Sequence, residues 1–548
     1  MDQATKRNTI AGIILLCIIA FSPVFTAGFV NYDDPEYVLN NIYIRHFSFE
    51  NIQHIFFGRT TDLYVPLTIF SYQVEHSLFG ESARHFHVIN LILHIINTIL
   101  LLFVLLKLNV QNKLLIYFIL LFFALNPLVT ESVCWITERK DVLYCLFYFL
   151  STLQFLNYTQ HKKLKYLGYS FLFFVLACLS KPMAISLPVL FSIYLIYTTQ
   201  KLKVKEHLLL IPFYAISVAF AFISIYSLSS LGTIKGNHVE YSILEKTVMV
   251  FSEIGYYFVK PFIPFNQQLF HLFPEKSKLL SNSDMRFFAF AGALIAGVIL
   301  YQLFSKKYRL PGYLFFAWLI FLLPVLQIYS NTHSYVSERY FYVSIIFPVS
   351  IAFILLQKTT VKQPVYKYAL VLLIVVFTAL TFKRTTVWKN SKTLFEAELK
   401  ADPKNPYALN NLGYDYNSKS DFEAALPLLK RAIEADSANA LYFNNYGWAL
   451  ANMGQTDEAI MYFQKAITIN AHYTEALNNV GICYMQKQNI EKAATCFKKA
   501  YAISPNNGDV VFNLGLYYYN SGQKDTGLPL LQKAYELGNK KAFKYLNK

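Results

Sequence analysis

The chain has 548 residues, of which 55% are hydrophobic and 17% aromatic, and it carries a formal net charge of +16. This make-up excludes an ordinary water-soluble protein. The charge distribution argues against a nucleic-acid binder: from Pro403 onward 15 Lys and Arg oppose 12 Asp and Glu, so about +13 lies upstream, in short loops between apolar runs.

The first apolar run, near 9–27, follows Lys6-Arg7, is longer than a signal-peptide core and lacks a small-residue cleavage site. It reads as an uncleaved membrane helix with its N-terminus in the cytoplasm. Just past it stands Asn31-Tyr32-Asp33-Asp34-Pro35-Glu36. Two adjacent aspartates at a membrane boundary cost desolvation energy, which points to a polar task such as holding a proton, a metal or a substrate. Alone, Asp-Asp-Pro is an ordinary turn.

Further spans are expected near 88–107, 113–130, 141–158, 164–180, 183–199, 208–228, 287–304, 312–329, 340–356 and 366–382, eleven in all. The basic loops Lys107/Lys113, Lys162 to Lys165, Lys201 to Lys205, Lys306 to Arg309 and Lys358 to Lys367 then share one side, as the positive-inside rule requires. This count makes the apolar stretch Val248–Phe262 re-entrant or interfacial, and leaves Lys383-Arg384 on the unfavoured outer side. On that outer side fall Asp33 and Asp34, Arg84-His85-Phe86-His87, the loop Asn126 to Asp141 with Glu138-Arg139-Lys140, Ser180-Lys181-Pro182, and Ser337-Glu338-Arg339-Tyr340. His94, inside a span, reads as a hydrogen-bonded core group. The six cysteines show neither disulfide-framework nor metal-ligand spacing.

Beyond a linker, 385–405, with a half-repeat helix from Trp388 to Lys400, the pattern changes. Asn-x-Gly recurs at Asn411, Asn445, Asn479 and Asn513, each step 34 residues, with Ala432, Ala466, Ala500 and Ala534 on the same period. Ala425, Ala459, Ala493 and Gly527 form a third row. Several rows in one period resemble tetratricopeptide repeats, four of them over 406–548, and imply an α-solenoid. The stacked asparagines, doubled by Asn410, Asn444 and Asn478, offer donor and acceptor together. Such a row can grip an extended acceptor peptide, or can bond within the array.

Taken together, Tyr32-Asp33-Asp34, His87…Asn90…His94, Glu131-x-x-x-Trp135 followed by Arg139-Lys140-Asp141, Ser180-Lys181 before a Leu-Pro span, Tyr256-Tyr257 with Lys260-Pro261, and Glu338-Arg339-Tyr340 occur in one order. With the repeats, they resemble the transmembrane and tetratricopeptide-repeat-containing O-mannosyltransferases of the GT-C glycosyltransferase superfamily, over essentially the whole chain. Departures are Asn126-Pro127 where the family usually has His-Pro, and Pro182 rather than an acid after Lys181. The resemblance implies an all-α protein: a polytopic GT-C-type transmembrane helical domain over 1–384, then the repeat solenoid. It implies transfer of a mannose-like sugar from a polyprenyl-phosphate donor to hydroxyls of exported polypeptides, with no nucleotide and no nucleic acid.

In that chemistry Asp33 or Asp34 serves as general base, Asp34 being favoured. Arg139, Lys140, Lys181 and Arg339 face the leaving phosphate, Glu138 and Glu338 orient the arginines, and His85 and His87 contact phosphate or acceptor. Asn411, Asn445, Asn479 and Asn513 bind the acceptor. A divalent metal at Asp33-Asp34 is compatible with the pair, but no other ligand spacing accompanies it. The Lys-, Asn-, Tyr- and Phe-rich composition suggests a bacterial chain in the inner membrane with periplasmic repeats, or, in a eukaryote, endoplasmic reticulum with luminal repeats. The rival reading is a membrane-anchored repeat scaffold without catalysis.

Overall fold

The structure, a computed structural model, describes residues 1–58, 61, 63–200, 204–230, 241–273, 276–303, 309–326, 334–357 and 363–546. Of the basic loop residues, Lys201, Lys203, Lys306, Lys307, Lys358 and Lys362 lie outside the described residues. The chain is mostly helical and divides into two compact units, Met1–Asn390 and Ser391–Lys548.

In the first unit the principal helices are α1 (Gln3–Phe21), α2 (Phe49–Phe57), α3 (Pro66–Phe79), α4 (Ala83–Lys107), α5 (Lys113–Leu125), α6 (Arg139–His161) and α7 (Leu164–Ser180). They are followed by α8 (Leu187–Thr199), α9 (Ile211–Ser230), α10 (Ile243–Val259), α11 (Ser283–Leu303), α12 (Arg309–Leu322), α13 (Ile346–Leu356) and α14 (Gln363–Val387). A helix occupies each of the eleven expected span positions, but length and composition support fewer crossings. Among the described residues five segments are long and apolar enough: Gln3–Thr26, Ala83–Lys107, Pro182–Thr199, Ser283–Tyr301 and Pro364–Val387. Two bent pairs, Lys113–Leu125 with Pro127–Cys134 (45°) and Glu338–Ser344 with Ile346–Leu356 (58°), raise the number to seven. The physical reason is plain for α6, whose apolar run is interrupted by Ser151, Thr152, Gln154 and Asn157, and for α12, of which 14 residues are described as helix.

The stretch Val248–Phe262, expected to be re-entrant or interfacial, is mostly the regular helix α10, closed by a 3-10 turn at Lys260–Phe262. It lies tightly along α11: a Cβ at Gly255 would come within 1.9 Å of the Phe288 carbonyl oxygen, and one at Gly292 within 2.0 Å of that of Phe251. Only two glycines allow backbones this close. Two short strands, β1 (His271–Leu272) and β2 (Ser334–Val336), pair antiparallel and lead into Ser337-Glu338-Arg339.

The second unit begins with α15 (Ser391–Ala401) and continues as four helix pairs: α16 (Pro406–Ser418) with α17 (Phe422–Ala435), α18 (Ala440–Asn452) with α19 (Thr456–Ile469), α20 (Thr474–Gln486) with α21 (Ile490–Ile503), and α22 (Gly508–Asn520) with α23 (Lys524–Glu536). The small-residue rows do what their period implies. Ala425, Ala432, Ala459, Ala466, Ala493, Ala500 and Ala534 are fully buried, and a Cβ at Gly481 would lie 2.5 Å from the Phe497 ring. The first unit runs to Asn390, six residues beyond the expected 384, because α14 reaches Val387 and Trp388 packs on Trp135 (ring centroids 5.9 Å apart). Trp388 is therefore no part of the half-repeat helix, which starts at Ser391.

Candidate active site

The loop after α1 turns at Asp33 and Asp34. Asp34 is fully buried: the Thr137 amide and hydroxyl donate to its Oδ1 at 3.2 and 2.5 Å, and the Val30 amide donates to its Oδ2 at 2.9 Å. This ties the first loop to the loop preceding α6. Burial pushes the Asp34 carboxyl up to about 7; the hydrogen bonds oppose that rise and the neighbouring Asp33 charge adds to it. Asp33 is only half-buried, so it is the member of the pair that reaches the surface. Sequence reasoning favoured Asp34 as base, but both its oxygens are engaged inside the protein.

A raised carboxyl pKa has a definite sign. The folded state holds the Asp34 proton more tightly than the unfolded chain does, so its contribution is complete below about pH 4 and is lost as pH climbs towards 7. Asp34→Asn is expected to remove this slope. Thermal unfolding of the detergent-solubilised protein across that window should show the wild type losing about 4 kcal/mol relative to the variant.

Three cations gather around Glu138, the residue after Thr137, and the first of them, Lys140, also feels the Asp33 charge. Lys140 Nζ lies 3.2 Å from Glu138, and Lys181 Nζ contacts Asp141 and lies 3.4 Å from Glu138. Arg339 pairs with Glu131 at 3.0 Å and approaches Glu138 at 3.8 Å. Burial disfavours the Glu138 carboxylate, but Lys140, Lys181 and Arg339 outweigh it and hold the group below the usual carboxylate range. Burial likewise disfavours the Lys181 ammonium, while Asp141 and Glu138 keep it protonated. The side chains of Lys140 and Lys181 are 5% and 8% exposed and that of Arg339 24%, so Arg339 is the cation most open to an incoming anion. Tyr256 and Tyr257 brace this region: Tyr256 bonds His271 at 3.1 Å, and the Tyr257 hydroxyl accepts from the Ser337 amide at 3.1 Å.

Other expected site residues lie elsewhere. Arg139, expected to face phosphate, is 1% exposed and turned into the protein. Its Nε donates to Asn90 and its Nη2 to the Phe86 carbonyl, both at 2.8 Å, while its Nη1 pairs with Glu75. Its guanidinium also stacks over Tyr72 at 4.7 Å. His87 is buried against the Gly28 carbonyl at 3.1 Å, and His85 packs tilted against the Phe79 ring, 5.0 Å between centroids. Neither histidine contacts the three cations. Glu338, expected to orient its arginine neighbour, is fully buried, accepts from the Gln268 amide at 3.0 Å and faces Arg384 at 3.8 Å instead. His94 is a core group, bonded to Tyr342 and to the Ala124 carbonyl. Glu75, Thr137 and Arg384 were missed by sequence reasoning. Glu75 lies in a helix carrying no motif, and Arg384 stood out only as a charge on the wrong side.

For a divalent metal the geometry is unfavourable. The Asp34 oxygens point at Val30 and Thr137, and among the described residues no three His, Cys, Asp or Glu side chains gather suitably.

In the second unit the asparagine rows form a ladder. Asn445, Asn479 and Asn513 donate to the side chains of Asn410, Asn444 and Asn478 at 2.9, 3.0 and 2.9 Å. Asn411, in the first repeat, donates instead to the Tyr407 carbonyl at 2.8 Å. The rungs thus bond within the array, yet Asn444, Asn445, Asn478 and Asn479 also line a groove of about 450 Å³ with Tyr414 and Trp448.

A tetratricopeptide-repeat solenoid preceded by a helical membrane domain is the class these observations define. Tetratricopeptide-repeat models match residues 388–440, 440–473 and 474–507. The chain is homologous to the protein O-mannosyl-transferases TMTC1 and TMTC3. It is 36% identical to mouse TMTC1 over 92 residues, 17% of this chain and 10% of that protein. To human TMTC3 it is 24% identical over 427 residues, 68% of this chain and 45% of that protein. The chain therefore spans less than half the length of these relatives. Among solved structures, MamA is 27% identical, with 29% of this chain and 94% of that chain covered and a TM-score of 0.25. YrrB, described as a tetratricopeptide-repeat protein with an unusual peptide-binding site, is 20% identical, with 36% and 97% covered and a TM-score of 0.24.

Proposed function

We propose that this chain is a membrane glycosyltransferase that moves a mannose-like sugar from a polyprenyl-phosphate donor to hydroxyls of exported polypeptides. The observation that carries the reading is the Asp34–Thr137 latch, which ties the loop of half-buried Asp33 to the segment where Lys140, Lys181 and Arg339 gather on Glu138, with Lys140 feeling the Asp33 charge. Homology to TMTC1 and TMTC3 supports the same class of reaction. Asp33 takes the proton of the acceptor hydroxyl as its oxygen attacks the anomeric carbon; the bond to phosphate breaks and the lipid phosphate leaves with the electron pair. Arg339, with Lys181 and Lys140 behind it, stabilises the charge that develops there. Asp34 acts as a positioning residue. The asparagine ladder and its groove hold the acceptor backbone, which fits repeats exposed to the periplasm in a bacterium or the lumen of the endoplasmic reticulum in a eukaryote.

A membrane-anchored scaffold is the second reading, favoured by the ladder, whose bonds stabilise the array whether or not a peptide binds. Glycoproteomics of exported proteins in a deletion strain separates the two. Loss of hexose from a defined set of Ser and Thr sites, restored by the wild-type chain, is the expected result. An unchanged glycan profile together with a lost protein complex would favour the scaffold.

A further inference from the structure

The charge that topology left unexplained, Arg384, lies in the last turn of α14 and is 8% exposed. Its Nε and Nη2 have no hydrogen-bond partner; its ion pair with Glu338, at 3.8 Å, is too long to be one, and Glu338 Oε2 also lacks a hydrogen bond. The same holds for the indole nitrogens of Trp135 and Trp388, each 1% exposed, and for Glu131 Oε2. These groups belong to one neighbourhood. Trp388, four residues from Arg384, packs on Trp135, Trp135 packs on Tyr32 at 5.1 Å, and Glu131 binds Arg339, the residue after Glu338. Buried donors and acceptors left unpaired are costly, and several in one place indicate a ligand that pairs with them.

The geometry points to a hexose-binding site formed by Arg384, Glu338, Glu131 and the indole N–H groups of Trp135 and Trp388, the place where the donor's sugar ring is held. Three features select the ligand class. The unpaired set mixes donors with acceptors, as sugar hydroxyls require. Its charges balance, Arg384 against Glu338 and Arg339 against Glu131, so a phosphate would meet two carboxylates and a metal ion would meet two guanidinium groups. Stacked aromatic rings supply an apolar wall for the ring's C–H groups. Naming the ligand as the donor's sugar rests on the transferase reading above; the hexose site itself does not.

The test uses the full chain in lipid nanodiscs, read by intrinsic fluorescence, to which Trp135 and Trp388 contribute two of the four indoles. Methyl α-mannoside, methyl α-glucoside and methyl α-galactoside are titrated in parallel with inorganic phosphate. At least one hexoside should give a saturable change, and that change should persist in saturating phosphate, which the neighbouring cations Lys140, Lys181 and Arg339 would take. The paired variant Arg384→Met with Glu338→Gln, which removes both charges and so strands neither, should weaken that binding at least tenfold. Glu396→Gln, at an exposed position of α15, should leave it unaltered, and circular dichroism should confirm that each variant is folded. Should the paired variant fail to fold, Trp388→Phe, which removes one N–H and keeps an aromatic ring, is expected to weaken hexoside binding measurably. A response to phosphate in place of hexosides, or to no hexoside at all, overturns the site, the latter leaving water as the occupant. Sugar transfer to protein is assayed on the same preparation. Transfer without hexoside binding sinks this site alone, and hexoside binding without transfer sinks only the transferase reading.

Discussion

Replacing Asp33 by Asn is expected to lower sugar transfer by roughly 10²–10⁴-fold, the range a positioned general base contributes, while leaving the fold intact. Asparagine keeps the size and polarity of a half-buried side chain but cannot take up the acceptor proton. Asp34→Asn differs in kind. It disturbs the latch to Val30 and Thr137, so its effect should appear in stability and its pH slope as well as in rate. If Asp34→Asn abolished transfer with unaltered stability while Asp33→Asn remained active, the roles would be reversed. Steady-state transfer rates measured alongside thermal unfolding separate these outcomes.

The second large effect concerns Arg139. Arg139→Met would leave Glu75, 2% exposed, with a buried charge and no partner, and breaking a buried pair in this way typically costs about 3–5 kcal/mol. Burial already pushes the Glu75 carboxyl up, and Arg139 restrains that rise. Without the arginine, Glu75 takes up a proton more readily, so the loss should be smaller at low pH. Arg139→Met with Glu75→Gln should recover much of the stability, because neither charge is stranded. Unfolding measurements at two pH values check this. A variant that unfolds like the wild type but fails to bind donor would restore Arg139 to the phosphate site.

The repeats were legible from sequence in detail. Ala432, Ala466 and Ala500 recur because two helices can pack only where a small residue allows it, and this constraint is local and periodic. Helix positions in the first unit were legible for a similar reason, since apolar runs report themselves. The number of crossings was not. Whether the segments 127–134 and 338–344 continue a span or bend away depends on packing partners distant in sequence. The site shows the same division. Asp33, Asp34, Lys140, Lys181 and Arg339 stand in motifs, which is why the sequence singles them out. That Arg139 turns inward was hidden because its partner, Glu75, lies 64 residues away in a helix of unremarkable sequence. The asparagine ladder fell between: its spacing announced a stack, but only coordinates show that each rung donates to the preceding repeat.

The central claim is that the chain transfers a sugar from a lipid phosphate to protein hydroxyls with Asp33 as base. The most direct measurement reconstitutes the purified full chain in nanodiscs with radiolabelled polyprenyl-phosphate mannose and an unfolded, Ser- and Thr-rich acceptor protein. The account predicts label in the acceptor at Ser or Thr, release of polyprenyl phosphate in equal amount, and loss of both with Asp33→Asn. Folded wild-type protein that releases no polyprenyl phosphate from any lipid-linked hexose, or an Asp33→Asn variant that transfers at the wild-type rate, would contradict it.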